Sequence, residues 1–162
     1  SPRIPYPVYT LRRVCLYMTY QLRLHDDATA DLKAIAKANR REAARIAVLL
    51  QEYLQHPQKR QMLAIQDHDD GVVETGVWRQ LWDLGFEVMR IKVQGEKAAL
   101  APHGTEDEPE PFLRHRIPYA FDDRSQVIWV LGIKQRENDR DDYDPNGTFG
   151  RRVRAAYQSL GL

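Results

Sequence analysis

The segment RHRIPYAFDDRSQVIWVLGIKQR (114–136) decides the fold, because it has the pattern of two strands joined by a tight turn. Apolar residues alternate with polar ones in RHRIPYAF (114–121), which is the period of a strand with one buried face. QVIWVLGIKQR (126–136) is apolar on both faces, as is typical of an internal strand. The polar residues DDRS between them favour a turn, so we predict an antiparallel hairpin. Pro118 cannot donate within a ladder, and it therefore predicts either an edge position or a bulge.

Two other segments show the same period of two. FEVMRIKV (86–93) and TYQLRLH (19–25) each alternate apolar with polar side chains, so each predicts a half-buried strand. The segment QGEKAALAPHGTEDEPEP (94–111), which follows the first of these, ends in acidic residues broken by prolines. Such a loop is long for a compact domain, and its length is typical of mobile or functional loops.

Helical patterns fill most of the remaining chain. We predict one helix over about 28–38, capped by Asp26 or Asp27, and a second in RREAARIAVLLQEYLQH (40–56), with Asn39 between them. The apolar stripes that we expect to pack on the sheet are Ala28, Leu32, Ile35 and Ala36 in the first helix and Ala43, Ile46, Ala47, Leu50 and Leu54 in the second. The two helices together predict a helical hairpin.

Two shorter patterns complete the chain. Trp78, Leu81 and Trp82 predict a turn or short helix over one edge of the core, after a polar connection at 57–76. GTFGRRVRAAYQSLG (147–161) predicts a terminal helix capped by Thr148 and closed at Gly161. Its apolar face consists of Val153, Ala156, Tyr157 and Leu160.

The order of elements predicts an α+β fold, in which an N-terminal strand and a helical hairpin pack on a mostly antiparallel sheet and a helix ends the chain. The length of 162 residues suits a single domain. We place that domain at 18–162 and treat 1–17, which has three prolines and no continuous apolar run, as an N-terminal extension, native or introduced. The single cysteine excludes an intramolecular disulfide. No stretch has the length and apolarity of a membrane span, so we expect no membrane association.

The net charge is only +1, so any case for a nucleic-acid partner depends on local clustering. By the period of two, Arg90 and Lys92 share one face of their strand, and Arg116 shares a face with Arg114 on the next. Lys134 and Arg136 have matching parity at the end of the last strand. If these faces coincide, the cations line one open side of the sheet, and a polyphosphate such as RNA is their natural occupant. The alternative is a solvated sheet face whose cations keep the edge soluble.

A metal site can be drawn in QDHDDG (66–71), where Asp67, His68, Asp69 and Asp70 follow one another. Adjacent residues in a loop rarely converge on one ion without further ligands, so the pattern favours a solvated turn. We expect no metal and no cofactor.

The sequence resembles the RelE/ParE toxin superfamily of type II toxin–antitoxin systems over roughly 18–143. The resemblance rests on the order of elements and on basic residues at strand ends in the segments MTYQLRLHDDATADLKAIAKANRREAARIAVLLQ, VMRIKV, RHRIPYAF and VIWVLGIKQRENDRDDYD. RelE-type members cut messenger RNA in the ribosomal A site, whereas ParE-type members inhibit DNA gyrase. The positions that match the RelE-type site are Arg90, Lys92, Arg116, Arg136 and Tyr143.

The resemblance implies cleavage without a metal, in which the 2′-OH of RNA attacks the adjacent phosphate. We assign proton acceptance to Lys92, whose pKa neighbouring cations would lower, with Arg90 assisting. Arg116 would stabilise the phosphorane, Arg136 would do the same or act as the acid, and Tyr143 would stack on a base or orient the 2′-OH. Further RNA contacts are expected from Arg114, Lys134, Arg151 and Arg152.

Three departures keep other interpretations open. The acidic segment ENDRDDYD (137–144) would repel RNA beside the site, unless it pairs with the cations and holds them in shape or binds a divalent ion. The long loop at 94–111 replaces the tight turn of many relatives. His115 could serve as an acid–base group, but alternation turns it to the opposite face, which favours a core histidine.

The RelE interpretation implies a cytoplasmic toxin with the ribosome, mRNA and a cognate antitoxin as partners. One rival function is ParE-like inhibition of DNA gyrase without nuclease activity. Another is a non-toxic protein-interaction module of the same fold.

Overall fold

The computed structural model describes residues 19–65, 68–94 and 113–162, with no side chain described at positions 94, 113, 114 and 139. The predicted extension at 1–17 and nearly all of the predicted loop at 94–111 lie outside these residues. The strands are β1 (Gln21–Leu24), β2 (Val73–Val77), β3 (Met89–Gln94), β4 (Leu113–Asp122), β5 (Val127–Val130) and β6 (Lys134–Gln135). The α-helices are α1 (Asp26–Ala38), α2 (Arg40–Gln55), α3 (Pro57–Gln61), α4 (Arg79–Trp82), α5 (Asp139–Asp142) and α6 (Thr148–Ser159).

The strands form one mixed sheet in the order β1-β5-β4-β3-β2, with β6 paired to β4. The β1–β5 pair is parallel and the other pairs are antiparallel. This is the predicted α+β fold with a mostly antiparallel sheet. The predicted hairpin is present, and the Asp122 carboxylate accepts hydrogen bonds from the N–H groups of Arg124 and Ser125 in its turn.

A bulge divides the strand predicted at 126–136 into β5 and β6. Tyr119 pairs with Val130, but Arg116 pairs with Lys134, so two residues of β4 lie opposite three residues of the other strand. The Pro118 carbonyl accepts from the N–H of Leu131. Because the nitrogen and the carbonyl of a strand residue point the same way, the missing donor of Pro118 faces this interruption. The bulge is therefore confirmed, whereas the edge position is wrong, since β4 lies inside the sheet.

The strand β2 was not predicted, and it forms the edge beside β3. Val73 and Thr75 point into the protein, and they alternate with the partly exposed Glu74. The pairing of β2 with β3 is antiparallel and runs from Val73 opposite Val93 to Val77 opposite Met89. The last four residues of the predicted polar connection, 73–76, are therefore part of the sheet.

The helical hairpin covers one face of the sheet. Its core includes Ile46 and Tyr53 of α2 against Ile91, Ile117 and Tyr119 of the central strands. The actual stripe of α2 is Ala43, Ile46, Leu49, Leu50 and Tyr53. The predicted members Ala47 and Leu54 are exposed, because the stripe follows spacings of three and four residues from Ala43 and turns away from them.

Two predicted helix caps are wrong. His25, not Asp26 or Asp27, caps α1, and its Nδ1 accepts from the N–H of Asp27. Gly147 is the N-cap of α6 and Thr148 is the first helical residue. Asn39 does separate the two helices of the hairpin, and its side chain accepts from the first N–H groups of α2.

The terminal helix α6 packs on the opposite face of the sheet. Phe149, Val153 and Ala156 of α6 form a second buried cluster with Trp78 and Leu131. Gly161 has a φ of +72°, the left-handed conformation that closes a helix. Ala120 of β4 belongs to the same cluster and shares its face with Arg116 by alternation. The face that carries the predicted cations is therefore partly covered by α6. In the part of the chain that the structure describes, no helix has the length and apolarity needed to cross a membrane.

Candidate functional site

The sheet register brings the predicted cations onto one face. Lys92 of β3 lies opposite Arg116 of β4, and Arg116 lies opposite Lys134 of β6. Residues that are directly opposite in a ladder project from the same face, and Arg90 shares that face with Lys92 two residues away. We call these four residues, Arg90, Lys92, Arg116 and Lys134, the cation row. The basic faces therefore coincide at these four residues.

Tyr143 lies over this row. Its ring centre is 5.7 Å from the Arg90 guanidinium carbon, 5.8 Å from Lys92 Nζ and 5.5 Å from the Arg116 guanidinium carbon. The face of an aromatic ring carries partial negative charge and attracts cations at such distances. Three of the cations predicted for the site and the predicted tyrosine therefore form one cluster.

Trp78 contacts both the backbone and the ring of Tyr143. Its indole Nε1 donates a hydrogen bond of 3.1 Å to the Tyr143 carbonyl. The two rings meet edge to face with centres 5.4 Å apart, and Trp78 also stacks on Phe149 at 5.9 Å. Since Trp78 is buried in the second core, this hydrogen bond joins the backbone at Tyr143 to that core.

The acidic segment at 137–144, which we call the Tyr143 strap, pairs with one end of the cation row. Lys134 Nζ lies 3.3 Å from a carboxylate oxygen of Glu137 and 3.8 Å from one of Asp142. The other oxygen of Asp142 accepts from the N–H groups of Glu137 and Asn138. Of the alternatives for this acidic run, pairing with the cations is therefore the one that the structure supports.

The other end of the row touches the edge strand β2. A carboxylate oxygen of Glu74 lies 3.9 Å from the Arg90 guanidinium. A Cβ added at Gly76, which lies opposite Arg90 in the ladder, would be 3.1 Å from Arg90 Nη1. The absence of a side chain at Gly76 therefore leaves room for the Arg90 guanidinium to lie flat along the sheet.

The cation row is not the open surface that the sequence predicted. Arg116 is 1% exposed and Tyr143 is 9% exposed, whereas Lys92 is half-buried. The reason is that the strap and α6 pack over the same face as the cations. A large anion can reach Arg116 only if the covering groups move.

The other cations predicted for the site are Arg136, Arg151, Arg152 and Arg114. Arg136 directly follows β6 and is exposed, and Arg151 is exposed on α6. Arg152 forms an ion pair of 2.5 Å with Asp31, which also accepts from the N–H of Ile133 beside the bulge. The side chain of the remaining predicted contact, Arg114 in β4, lies outside the described part of the structure.

His115 is a core residue, as alternation predicts. It is buried on the face that the helical hairpin covers, and its Nε2 lies 3.9 Å from a carboxylate oxygen of Glu42 in α2. This places it on the other side of the sheet from Arg116, so it takes no part in the cluster.

The acidic run before β2 forms a turn. The carboxylates of Asp69 and Asp70 accept hydrogen bonds from the N–H groups of Gly71, Val72 and Val73. Partial burial opposes ionisation of Asp70, but the hydrogen bonds from Val73 and Val72, together with the charges of His68 and Lys59, lower the pKa of this carboxyl. No group of three or more potential metal ligands occurs among the described residues, which do not include Asp67.

Three residues of the site were not predicted for it: Trp78, Glu74 and Gly76. The signal for β2 is present in the sequence, because Val73, Thr75 and Val77 are β-branched residues in alternation. The contacts of Trp78 with Tyr143 join residues that are 65 positions apart, and no local pattern indicates such a pair.

No protein-family model, curated protein or solved structure matches this chain. The resemblance to the RelE/ParE superfamily therefore stays a prediction.

Proposed function

We propose that this protein is a toxin of a type II toxin–antitoxin system that cleaves ribosome-bound mRNA through the cation row. The observation that supports the proposal most is the convergence of Arg90, Lys92 and Arg116 on the ring of Tyr143. Cations gathered on adjacent strands suit a phosphodiester, whose charge increases at the transition state. The Tyr143 ring over these cations fills a space that would suit an unstacked RNA base.

The proposed reaction needs no group from outside the protein and RNA. The 2′-oxygen attacks the adjacent phosphorus while Lys92, in its neutral form, accepts the 2′ proton. The bond from phosphorus to the 5′ oxygen then breaks, which leaves a 2′,3′-cyclic phosphate and a 5′ hydroxyl. Arg116 stabilises the phosphorane, and Arg136 or a water that it orients protonates the departing oxygen. Arg136 is exposed directly after the end of β6.

The implied partners are the ribosome with its mRNA and a cognate antitoxin, in the cytoplasm. Gyrase inhibition is the competing function for a protein of this fold, and the same experiment distinguishes the two. The non-toxic interaction module is distinguished by growth after induction, because such a protein would not stop it.

The test compares Lys92→Met with Lys37→Met. Both variants lose one lysine charge, but Lys37 is exposed in the last turn of α1 and is not part of the cation row. The wild type and Lys37→Met should stop growth on induction and leave discrete breaks in mRNA that primer extension detects. Lys92→Met should lose at least about 100-fold of the cleavage, within the range for a group that transfers a proton.

Two results would contradict the proposal. One is growth arrest without mRNA breaks and with inhibited DNA supercoiling, which would assign the gyrase function. The other is unchanged growth with the folded wild-type protein, which would leave only an interaction module.

A further inference from the structure

The Tyr143 strap occupies the contacts that a bound phosphodiester would need. The Asp142 carboxylate takes the position of an anion at Lys134, with an oxygen 3.8 Å from Nζ. One residue later, the Tyr143 ring takes the position of a base over Arg90, Lys92 and Arg116. The strap thus supplies an anion and an aromatic ring in sequence, which are the two features that RNA offers.

The strap is also held at both ends. Asp142 is 3% exposed and accepts hydrogen bonds from the N–H groups of Glu137 and Asn138. These bonds join the beginning of the strap to Asp142. At the other end, a Cβ added to Gly150 would lie 2.2 Å from the Asp144 carbonyl oxygen. The strap therefore packs closely on the first turn of α6.

We propose that the Tyr143 strap is an autoinhibitory element that competes with RNA for the cation row. This inference rests on the function proposed above, because the RNA that competes with the strap is the substrate of that function. The strap leaves the row when RNA binds. Breaking the Lys134–Asp142 ion pair costs free energy, and this cost lowers the affinity of the protein for RNA. Because Arg116 is only 1% exposed, the strap must move before a phosphate can touch it.

The experiment compares Asp142→Asn with Asp141→Asn. Both lose one negative charge within the strap, and asparagine keeps an oxygen for the N–H groups of Glu137 and Asn138. Asp141 is exposed and serves as the matched control. The probe is a fluorescently labelled 2′-O-methyl hexauridylate, which cannot be cleaved because its 2′ oxygens carry no proton. Asp142→Asn should bind it about fivefold more tightly than Asp141→Asn, the effect of removing one partly buried ion pair.

A second readout follows the strap itself. The indole N–H of Trp78 donates to the Tyr143 carbonyl, so its NMR resonance reports whether the strap is in place. The protein has three tryptophans, and Trp78→Phe identifies the signal. The Trp78 resonance should move when the oligonucleotide binds, and without RNA its N–H should exchange with solvent faster in Asp142→Asn than in Asp141→Asn.

The outcomes separate this inference from the proposed function. Equal affinities in the two variants, or RNA binding that leaves the Trp78 resonance unchanged, would overturn the strap mechanism while the site stands. No binding by the wild type or by either variant would overturn the proposed function, and the competition with it.

Discussion

The two faces of β3 and β4 are both covered, but by different means. On one face Ile91, Ile117 and Tyr119 pack against the helical hairpin in an apolar core. On the other, Lys92 and Arg116 lie beneath the Tyr143 strap, and Arg116 is as inaccessible as the isoleucine next to it in sequence. The difference teaches that alternation predicts the direction of a side chain, whereas its exposure depends on what later elements pack over it.

The largest expected effect is on the hairpin face. Ile117→Ala should lower the free energy of unfolding by about 2–5 kcal/mol, because it removes a fully buried side chain and leaves a cavity. Urea unfolding at low and high salt measures this, and the loss should be the same at both. A loss below about 1 kcal/mol would mean that the apolar face does not dominate stability.

A smaller effect is expected on the cation face. Tyr143→Leu should cost about 1–2 kcal/mol, since it removes the ring that faces three cations. The cost should shrink as salt is added, because salt screens the repulsion among the cations that the ring offsets. Tyr143→Phe, which keeps the ring, is the matched control and should show little salt dependence. If the cost does not depend on salt, the cation face, like the hairpin face, has no contribution to the free energy of unfolding that salt screens.

The smallest effect is expected at the hairpin turn, away from both faces. The hydroxyl of Ser125, followed by the N–H groups of Ser125 and Arg124, lowers the pKa of Asp122 below its ordinary value of 3.8. A carboxyl with a lowered folded pKa adds stability that is present above the ordinary value and is lost as the pH falls through the lowered one. Asp122→Asn should therefore flatten the decline in unfolding free energy below about pH 4. If the unfolding free energy of Asp122→Asn declines at acid pH as steeply as that of the wild type, this contribution is ruled out.

Much of the fold could be predicted because its signals are local. The hairpin at 114–136, the two helices around Asn39 and the terminal helix all follow from apolar periodicity and turn residues. The strand β2 was missed because the polar Glu74 and Gly76, two residues after it, resemble a connection. The caps were misplaced because His25 and Gly147 are not the residues that capping rules favour first.

The site could be predicted only in part. Parity placed Arg90, Lys92 and Arg116 on one face, and the resemblance added Tyr143. Their burial could not be predicted, because it comes from the packing of α6 and the strap on the same face. The ion pair of Asp142 with Lys134 likewise depends on the path of the strap after β6.

The affinity of the 2′-O-methyl hexauridylate for neighbouring variants on the two faces tests the central claim most directly. Arg116→Met should bind it at least about tenfold more weakly than the wild type, because a buried charge-assisted contact to phosphate is lost. Ile117→Ala should bind it as the wild type does, at a temperature where circular dichroism shows both variants folded. If Arg116→Met does not fold, Lys92→Met takes its place with the same expectation. Wild-type affinity in the folded cation-row variant, or an equal loss in Ile117→Ala, would contradict the claim that the cation row is where this protein meets RNA.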